Sequence, residues 1–270
     1  MPAHLTVPGS PRSPVVLHVP HGARHVPDAV RAGIVLDNAE LVAELDRMTD
    51  TDTGLIARRA AQATTSGPWI FENRASRLVV DPERFPDERE EMRAVGMGAV
   101  YTRTSQGTPL RHPDPEQEQA LLDEYFTPYA DAIAELVDDR LTTTGRAVIL
   151  DVHSYPSKPL PYELHTDGTR PSVCIGTDVF HTPDWLLDAA RTAFEPCGDV
   201  ALNTPFAGCY VPLRHYGTNA SVVAVMIEIR RDTYLTEPAG PPTPRLGNVA
   251  AALARLVDRI DSRLSLTEHS

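Results

Sequence analysis

Two short apolar segments, far apart in the chain, each end in a histidine that a turn residue follows. Residues 15–22 have the sequence VVLHVPHG and residues 147–154 have AVILDVHS, so His21 and His153 occupy matching places. A short run of β-branched and aliphatic residues bounded by Pro, Gly or Ser is typical of a buried strand. In an open α/β sheet, ligands bind in the crevice beyond the carboxyl ends of such strands. The pattern therefore predicts an α/β sheet that brings two imidazoles to one crevice.

Strand and helix patterns alternate along the rest of the chain. The clearest helix begins with Asp114 as cap, Pro115 in the first turn and Gln117 placed for a capping box, and it ends before Gly145. The predicted elements are strands at 15–19, 69–71, 77–80, 147–152 and 221–229, helices at 38–63, 114–145, 182–198 and 245–264, and a loop at 87–113. This order predicts a three-layer α/β/α sandwich, phosphorylase/hydrolase-like, with a mostly parallel or mixed central sheet and one catalytic domain over residues 1–270.

The composition argues against several kinds of partner. The net charge is −12 at pH 7 and Lys158 is the single lysine, so the clustered positive charge that binds nucleic acid or anionic membranes is not expected. Cys174, Cys197 and Cys209 follow no metal-ligand spacing and indicate a reducing compartment. No apolar run approaches the roughly 20 residues that cross a bilayer. We therefore expect a soluble cytoplasmic protein, and the oligomeric state stays open.

Metal binding is the chemistry that two converging histidines favour. A catalytic zinc site has three protein ligands and keeps one position open. His21 and His153 supply two ligands, and the acidic segment 44–52 offers the third. Asp46 and Asp50 are four residues apart, so on a helix they share a face, and one of them would bind the metal while the other orients a histidine. The alternative is that both belong to a solvated acidic helix face.

Glu228 interrupts the apolar strand predicted at 221–229. An acidic side chain inside a core strand is unfavourable unless it is paired or functional. Beside a metal site it would serve as general base and then as acid. A salt bridge from Glu228 to Arg230 or Arg231 is the alternative interpretation.

Three arginines are candidates for contact with a substrate. Arg77 and Arg84 flank a predicted strand end, and Arg214 lies in a glycine-containing loop. The planar guanidinium fork matches a carboxylate, so we expect a small-molecule carboxylate substrate. Taken singly, each arginine is equally consistent with exposed surface. His18, which alternates away from the strand end, is expected in the core.

Six short segments of the chain carry motifs that are informative as a set. They are VPHG at 19–22, LDRMTD at 45–50, SRLVVDPER at 76–84, LDVHS at 150–154, PFAGCY at 205–210 and IEIRRDTYL at 227–235. In this order they resemble the N-formylglutamate amidohydrolase family. The resemblance extends over roughly residues 14–236, and six motifs in one order are far more specific than any one of them.

This resemblance implies a fold similar to the zinc carboxypeptidases and hydrolysis of the N-formyl amide of glutamate, a late step of histidine breakdown. It implies one Zn²⁺ ion per chain, bound by His21, Asp46 and His153. It further implies that Glu228 is the base and that the three arginines contact the substrate carboxylates. Whether Asp46 or Asp50 contacts the metal stays open.

Two departures from the family pattern fall in the expected substrate region. Glu83-Arg84 stands where family members usually carry Asn-Arg, and Gly208-Cys209 stands where they often carry Gly-Gly. The alternatives are therefore a hydrolase of another N-acyl amino acid or of a terminal peptide bond, or a non-catalytic binding protein that has retained the site. Glu228 disfavours the binding protein, because a protein that only binds needs no buried base.

Overall fold

The computed structural model describes residues 3–163 and 168–267, and in this part of the chain the strands form one sheet. The strands are β1 His4–Val7, β2 Val15–Val19, β3 Trp69–Asn73, β4 Ala147–Tyr155, β5 Val173–Gly176, β6 Val200–Leu202 and β7 Val222–Arg230. The helices are α1 Asp28–Arg31, α2 Asn38–Met48, α3 Thr53–Ala63, α4 Pro115–Leu121, α5 Thr127–Thr144, α6 Asp184–Phe194 and α7 Leu246–Thr267. Among these residues no helix has both the length and the apolar character that crossing a membrane requires.

The sheet is mixed, with the strand order β1-β3-β2-β4-β7-β5-β6. The pairs β3–β2, β2–β4, β4–β7 and β5–β6 are parallel, whereas β1–β3 and β7–β5 are antiparallel. Successive side chains of a strand point to opposite faces, so both faces of the central strands are buried. Leu150 and Ile227 belong to the core formed with α3, α6 and α7, and Ile149 and Ala224 pack with Val137 of α5 on the other face. The predicted α/β sandwich is confirmed.

The three central parallel strands position the polar side chains. Because β2, β4 and β7 run in the same direction, their carboxyl ends lie at one edge of the sheet. His153 of β4 is the register neighbour of Glu228 of β7, and His18 of β2 is the neighbour of Asp151. These residues face the α5 side, where His18 contacts Tyr129. The strand order therefore places every strongly polar residue of these strands near one edge.

The helix predicted at 38–63 is two helices. α2 ends at Met48 and α3 begins at Thr53, and between them Asp52 adopts a left-handed backbone with φ of 65°. The backbone N–H of Asp50 donates to the carbonyl of His21 over 3.0 Å instead of continuing the helix. A tertiary hydrogen bond thus takes the place of a helical one, which sequence periodicity does not reveal.

Other predicted elements also differ from the structure. Residues 77–80 form turns, because Val79 donates to the carbonyl of Ser76 and Asp81 donates to Ala99 rather than to a neighbouring strand. The loop at 87–113 contains a 3₁₀ helix at Glu91–Val95. Strands β1, β5 and β6 had no prediction, since short strands near the sheet edges carry little periodicity. The helix predicted at 114–145 consists of α4, a π-helical turn at Leu122–Phe126 and α5. The remaining predicted helices and strands are present with shifts of a few residues at their ends.

Gly176, at the end of β5, lies close against the backbone of Gly208. A Cβ atom there would lie 2.3 Å from the carbonyl oxygen of Gly208. We therefore expect Gly176→Ala to lower the free energy of unfolding by about 1–3 kcal/mol, measured by urea denaturation. Gly247→Ala, which meets open space in α7, is the control and should leave stability unchanged or raise it by up to about 1 kcal/mol. Equal effects of the two variants would contradict the packing argument.

Candidate active site

Three side chains from separate parts of the chain converge at the carboxyl edge of the sheet. His21 follows β2, Asp50 lies between α2 and α3, and His153 lies on β4. The Nδ1 atoms of His21 and His153 are 3.3 Å apart. The Oδ2 atom of Asp50 is 3.1 Å from Nδ1 of His153 and 3.8 Å from Nδ1 of His21. All three residues are buried, so the structure forms a compact group of two nitrogen donors and one oxygen donor that could hold a metal ion.

The spacing of these three atoms fits a small divalent cation. Ligand atoms about 2.1 Å from a tetrahedral ion lie about 3.4 Å from one another. The observed separations of 3.1, 3.3 and 3.8 Å bracket that value. Two imidazoles and a carboxylate are also a donor set typical of catalytic zinc, which leaves its fourth position for water or substrate.

His21 is held in the tautomer that leaves Nδ1 free. Its Nε2–H donates to Oδ1 of Asp81 over 2.8 Å, so the lone pair is on Nδ1, which faces the group. Asp81 also accepts hydrogen bonds from Arg77, at 2.6 Å, and from the hydroxyl of Tyr101. Burial opposes its charge, but Arg77 and His21 outweigh burial and hold the pKa of Asp81 well below its usual value. The ring of His21 is therefore oriented by an ionised carboxylate.

Asp50 is held by Arg231, a buried residue that sequence reasoning did not single out as part of the site. Nη2 of Arg231 donates to Oδ1 of Asp50 over 3.2 Å, which leaves Oδ2 directed at the two histidines. Arg231 also donates to Ser154 and to the backbone carbonyl of Arg47. Burial disfavours the ionised carboxylate, yet His153, His21 and Arg231 together lower the pKa of Asp50. The sequence signals for Arg231 were its position directly after a core strand and its place in the motif at 227–235.

His153 lies against two carboxylates on its other side. Its Nε2 is 2.9 Å from Oδ1 of Asp151 and 3.2 Å from Oε2 of Glu83, and it is buried without an aligned hydrogen-bond partner. Burial lowers the pKa of His153, but Asp151 and Glu83 outweigh it and raise that pKa well above the usual value. Asp151 also accepts from Nδ1 of His18 over 2.9 Å. His18 is fully buried and bonded to Tyr129, which agrees with its predicted core position.

Glu228 lies beside His153 on the neighbouring strand. Its side chain faces the cavity, and Oε2 is buried without a hydrogen-bond partner. Burial raises the pKa of Glu228 to about 8, with His153 acting in the opposite direction. The alternative salt bridge is absent from the described residues, since Arg230 pairs with Asp232 and Arg231 with Asp50. Glu228 is thus a carboxyl group that can gain or lose a proton near neutral pH.

Asp46 does not belong to this group, contrary to the ligand set that the resemblance implied. Its side chain is 30 % exposed and pairs with Arg24 at 2.6 Å on the surface of α2. The physical reason is the helix end at Met48, which separates Asp46 from Asp50 and turns only Asp50 inward. The shared helical face that the spacing of four suggested does not form.

A cavity of about 850 Å³ opens over the three donors, and Arg77, Arg84 and Arg214 all line it. Arg77 is mostly buried and already donates to Asp81 and Tyr101. Arg214 is exposed and pairs with Asp138 of α5. The closest approaches of Arg84 to Asp81 and Glu90, at 3.7 and 3.6 Å, are too long for hydrogen bonds. Of the three, Arg84 therefore has the most donors left for a substrate carboxylate.

The charges around the donors favour a bound cation. Asp81 and Asp50 each have a guanidinium partner, whereas among the described residues the salt-bridge partners of Glu83 and Asp151 are imidazoles, and Asp151 also accepts from the backbone N–H of Tyr210. Two further groups could also hold a cation: one is His18 with Glu83 and Asp151, and the other is His21 with Asp81 and Glu83. Both contain Glu83, and the second also contains His21 of the first-described group. A metal ion needs the neutral form of His153, whereas Asp151 and Glu83 favour its protonated form in the protein without metal. A cation bound by the three donors would replace that positive charge beside the two carboxylates.

Comparison with known proteins identifies the family of this chain. The chain belongs to the N-formylglutamate amidohydrolase family, whose model matches residues 13–235. It is 31 % identical to an N-formylglutamate deformylase of Pseudomonas aeruginosa, over 84 % of this chain and 84 % of that protein. It is 29 % identical to an N-formylglutamate deformylase of Pseudomonas putida, over 84 % of this chain and 83 % of that protein.

Two solved structures share the fold. An N-formylglutamate amidohydrolase from Ralstonia eutropha JMP134 superposes with a TM-score of 0.82 at 19 % identity, over 99 % of this chain and 100 % of that one. A gene product from Agrobacterium tumefaciens superposes with a TM-score of 0.70 at 21 % identity, over 98 % of this chain and 96 % of that one. At these identities the likeness concerns the fold alone.

Proposed function

We propose that this chain is a metal-dependent amidohydrolase that removes the formyl group from an N-formyl amino acid. N-formyl-L-glutamate is the first substrate to test, because its name is carried by the relatives at 29–31 % identity. The observation that supports the chemistry best is the convergence of His21, Asp50 and His153 beside Glu228 in one cavity. Zn²⁺ is the ion that this donor set favours.

Each residue has a distinct role in the proposed reaction. His21, Asp50 and His153 would hold the ion, and Asp81 and Arg231 fix the orientation of two of them. When bound, a Zn²⁺ ion supplies Lewis acidity toward a carbonyl oxygen and lowers the pKa of water. The protein residues supply the orientation and the proton transfers.

Glu228 carries out both proton transfers. It takes a proton from the attacking water as the oxygen bonds to the formyl carbon, and it delivers that proton to the nitrogen as the C–N bond breaks. The products are formate and the free amine. A pKa near neutrality suits a group that must accept and return a proton in one cycle. Arg84 would hold a carboxylate of the amino acid.

Metal removal is the direct test of this proposal. We expect the purified protein to contain about one zinc ion per chain and to release formate from N-formyl-L-glutamate or a related N-formyl amino acid. Treatment with a chelator should lower the rate to background, and stoichiometric Zn²⁺ should restore it. Metal content is measured by mass spectrometry and formate by a coupled assay. Full activity in protein free of metal would refute the proposal.

A further inference from the structure

Tyr162 is a residue of the cavity wall to which the proposed mechanism gives no role. Its ring packs against the apolar cluster that contains Met48, Leu78 and Tyr101, on the side of the cavity that carries Arg84. The hydroxyl group of Tyr162 makes no hydrogen bond within the described part of the chain, and its oxygen is not sealed in the interior. The ring is therefore held in place while the one polar atom of the side chain stays available.

The turn that carries Tyr162 is fixed by hydrogen bonds. The N–H of Glu163 donates to the carbonyl of Leu160 over 3.0 Å, and the N–H of Leu160 donates to Oε1 of Glu163 over 2.8 Å. Arg170 donates to Oε2 of Glu163 over 2.6 Å and to the carbonyl of Pro156 over 2.7 Å. A ligand that binds through the hydroxyl of Tyr162 would therefore order little additional chain.

The charged groups around the hydroxyl favour an anionic ligand. Burial raises the pKa of Tyr162, the guanidinium groups of Arg77 and Arg84 lower it, and Glu163 and Glu228 raise it. Of these two acids, Glu163 is paired with an arginine, and Glu228 belongs to the part of the site that transfers protons. Arg84 has no acid within hydrogen-bond distance, so its N–H groups remain free beside the hydroxyl.

We propose that the hydroxyl of Tyr162 and the guanidinium of Arg84 together bind one carboxylate of the N-formyl amino acid. No hydrogen bond joins these two side chains to each other among the residues that the structure describes, so an O–H and several N–H donors remain for a third group. A carboxylate accepts from both at once, because it has two oxygens with about four lone-pair directions. The inference rests on the proposed function, which supplies the substrate, and adds Tyr162 as a residue that recognises it.

Tyr162→Phe removes one oxygen atom and keeps the ring in its apolar contacts. In the zinc-loaded protein we expect KM for N-formyl-L-glutamate to rise at least about tenfold while kcat stays within about twofold, because a contact made equally in the ground state and the transition state is lost. Tyr216→Phe is the matched control. Tyr216 lines the same cavity, but its hydroxyl already donates to Asp178 over 3.2 Å, so KM should change by less than about twofold.

Two analogues distinguish the α-carboxylate from the side-chain carboxylate, which offer the same chemistry. N-formyl-L-norvaline lacks the side-chain carboxylate, and 4-formamidobutanoate lacks the α-carboxylate. Tyr162→Phe should leave the KM of one analogue within about twofold and raise that of the other about tenfold. The insensitive analogue is the one that lacks the bound carboxylate. Where an analogue is not hydrolysed, its inhibition constant against N-formyl-L-glutamate takes the place of KM.

An unchanged KM for N-formyl-L-glutamate in Tyr162→Phe overturns the inference. An equal loss on all three compounds also overturns it, because the hydroxyl would then act on the amide or in packing. A lowered zinc content or thermal midpoint of Tyr162→Phe would show a structural role and has the same consequence.

Binding of L-glutamate to the zinc-loaded protein, measured by calorimetry, tests Tyr162 without turnover. We expect the affinity to be at least about tenfold lower in Tyr162→Phe than in the wild type. Equal affinities, or no detectable binding to the wild type, overturn the inference. Absence of turnover on every N-formyl amino acid refutes the proposed function, and this binding comparison then decides the role of Tyr162 separately.

Discussion

Glu228→Gln is expected to lower kcat by roughly 10²–10⁴ while zinc content and fold are retained. Glutamine keeps the shape of the side chain and removes the carboxyl group that we propose accepts and returns the proton. Burial raises the pKa of Glu228 to about 8, so the folded protein without metal holds a largely neutral carboxyl at pH 7. The substitution should therefore not lower the thermal unfolding midpoint, which calorimetry measures.

Met226→Leu is the matched control for this variant. Met226 lies two residues earlier on β7, faces the same cavity and carries no proton to transfer. We expect its kcat to stay within a few-fold of the wild type, since leucine nearly conserves the volume. A Glu228→Gln protein with wild-type kcat would exclude Glu228 as the base, and equal losses in both variants would indicate a packing effect.

Asp50→Asn and Asp46→Asn together separate the two aspartates that the sequence left as alternatives. Asp50→Asn should weaken zinc binding by more than about 100-fold, because it removes the one charged member of the proposed ligand set rather than an outer contact. It also leaves the buried guanidinium of Arg231 beside a neutral amide. Asp46→Asn breaks only an exposed pair with Arg24, so zinc affinity and unfolding midpoint should remain those of the wild type.

Zinc affinity is measured by competition with a chromophoric chelator, which does not depend on turnover. The reverse result, with loss of zinc in Asp46→Asn alone, would mean that the segment between α2 and α3 is arranged differently in the holoprotein. Loss of zinc in neither variant would remove the carboxylate from the proposed ligand set.

The sequence predicted the fold well where periodicity was strong. The apolar runs that became β2, β4 and β7 were identified because these strands are buried on both faces of the sheet, and the stripe of α5 was identified because it packs on one of those faces. The end of α2 at Met48 was missed, since a hydrogen bond from Asp50 to the distant His21 ends that helix. Residues 77–80 have strand-like composition but form turns, because Val79 donates to the nearby carbonyl of Ser76 and the next residue, Asp81, donates to Ala99 rather than to a strand of the sheet.

The sequence predicted which residues lie in the candidate site better than it predicted the contacts that orient them. His21 and His153 were expected to converge, and their Nδ1 atoms lie 3.3 Å apart. Arg231 and Asp81 were not recognised as the residues that orient the donor atoms, since such contacts join segments that are distant in sequence. Glu83 was noted only as a departure from a family motif, and its unpartnered oxygen became evident from the geometry.

By itself the sequence determined the α/β class, the two strand-end histidines and the acid inside a core strand. These features follow from local patterns, because burial of a strand and the placement of a residue at its end depend on neighbours along the chain. Only the tertiary structure decided that Asp50 rather than Asp46 faces the histidines and that Arg77 is engaged by Asp81. Those outcomes depend on where a helix ends and which charges meet, and both are set by contacts between residues far apart in the sequence.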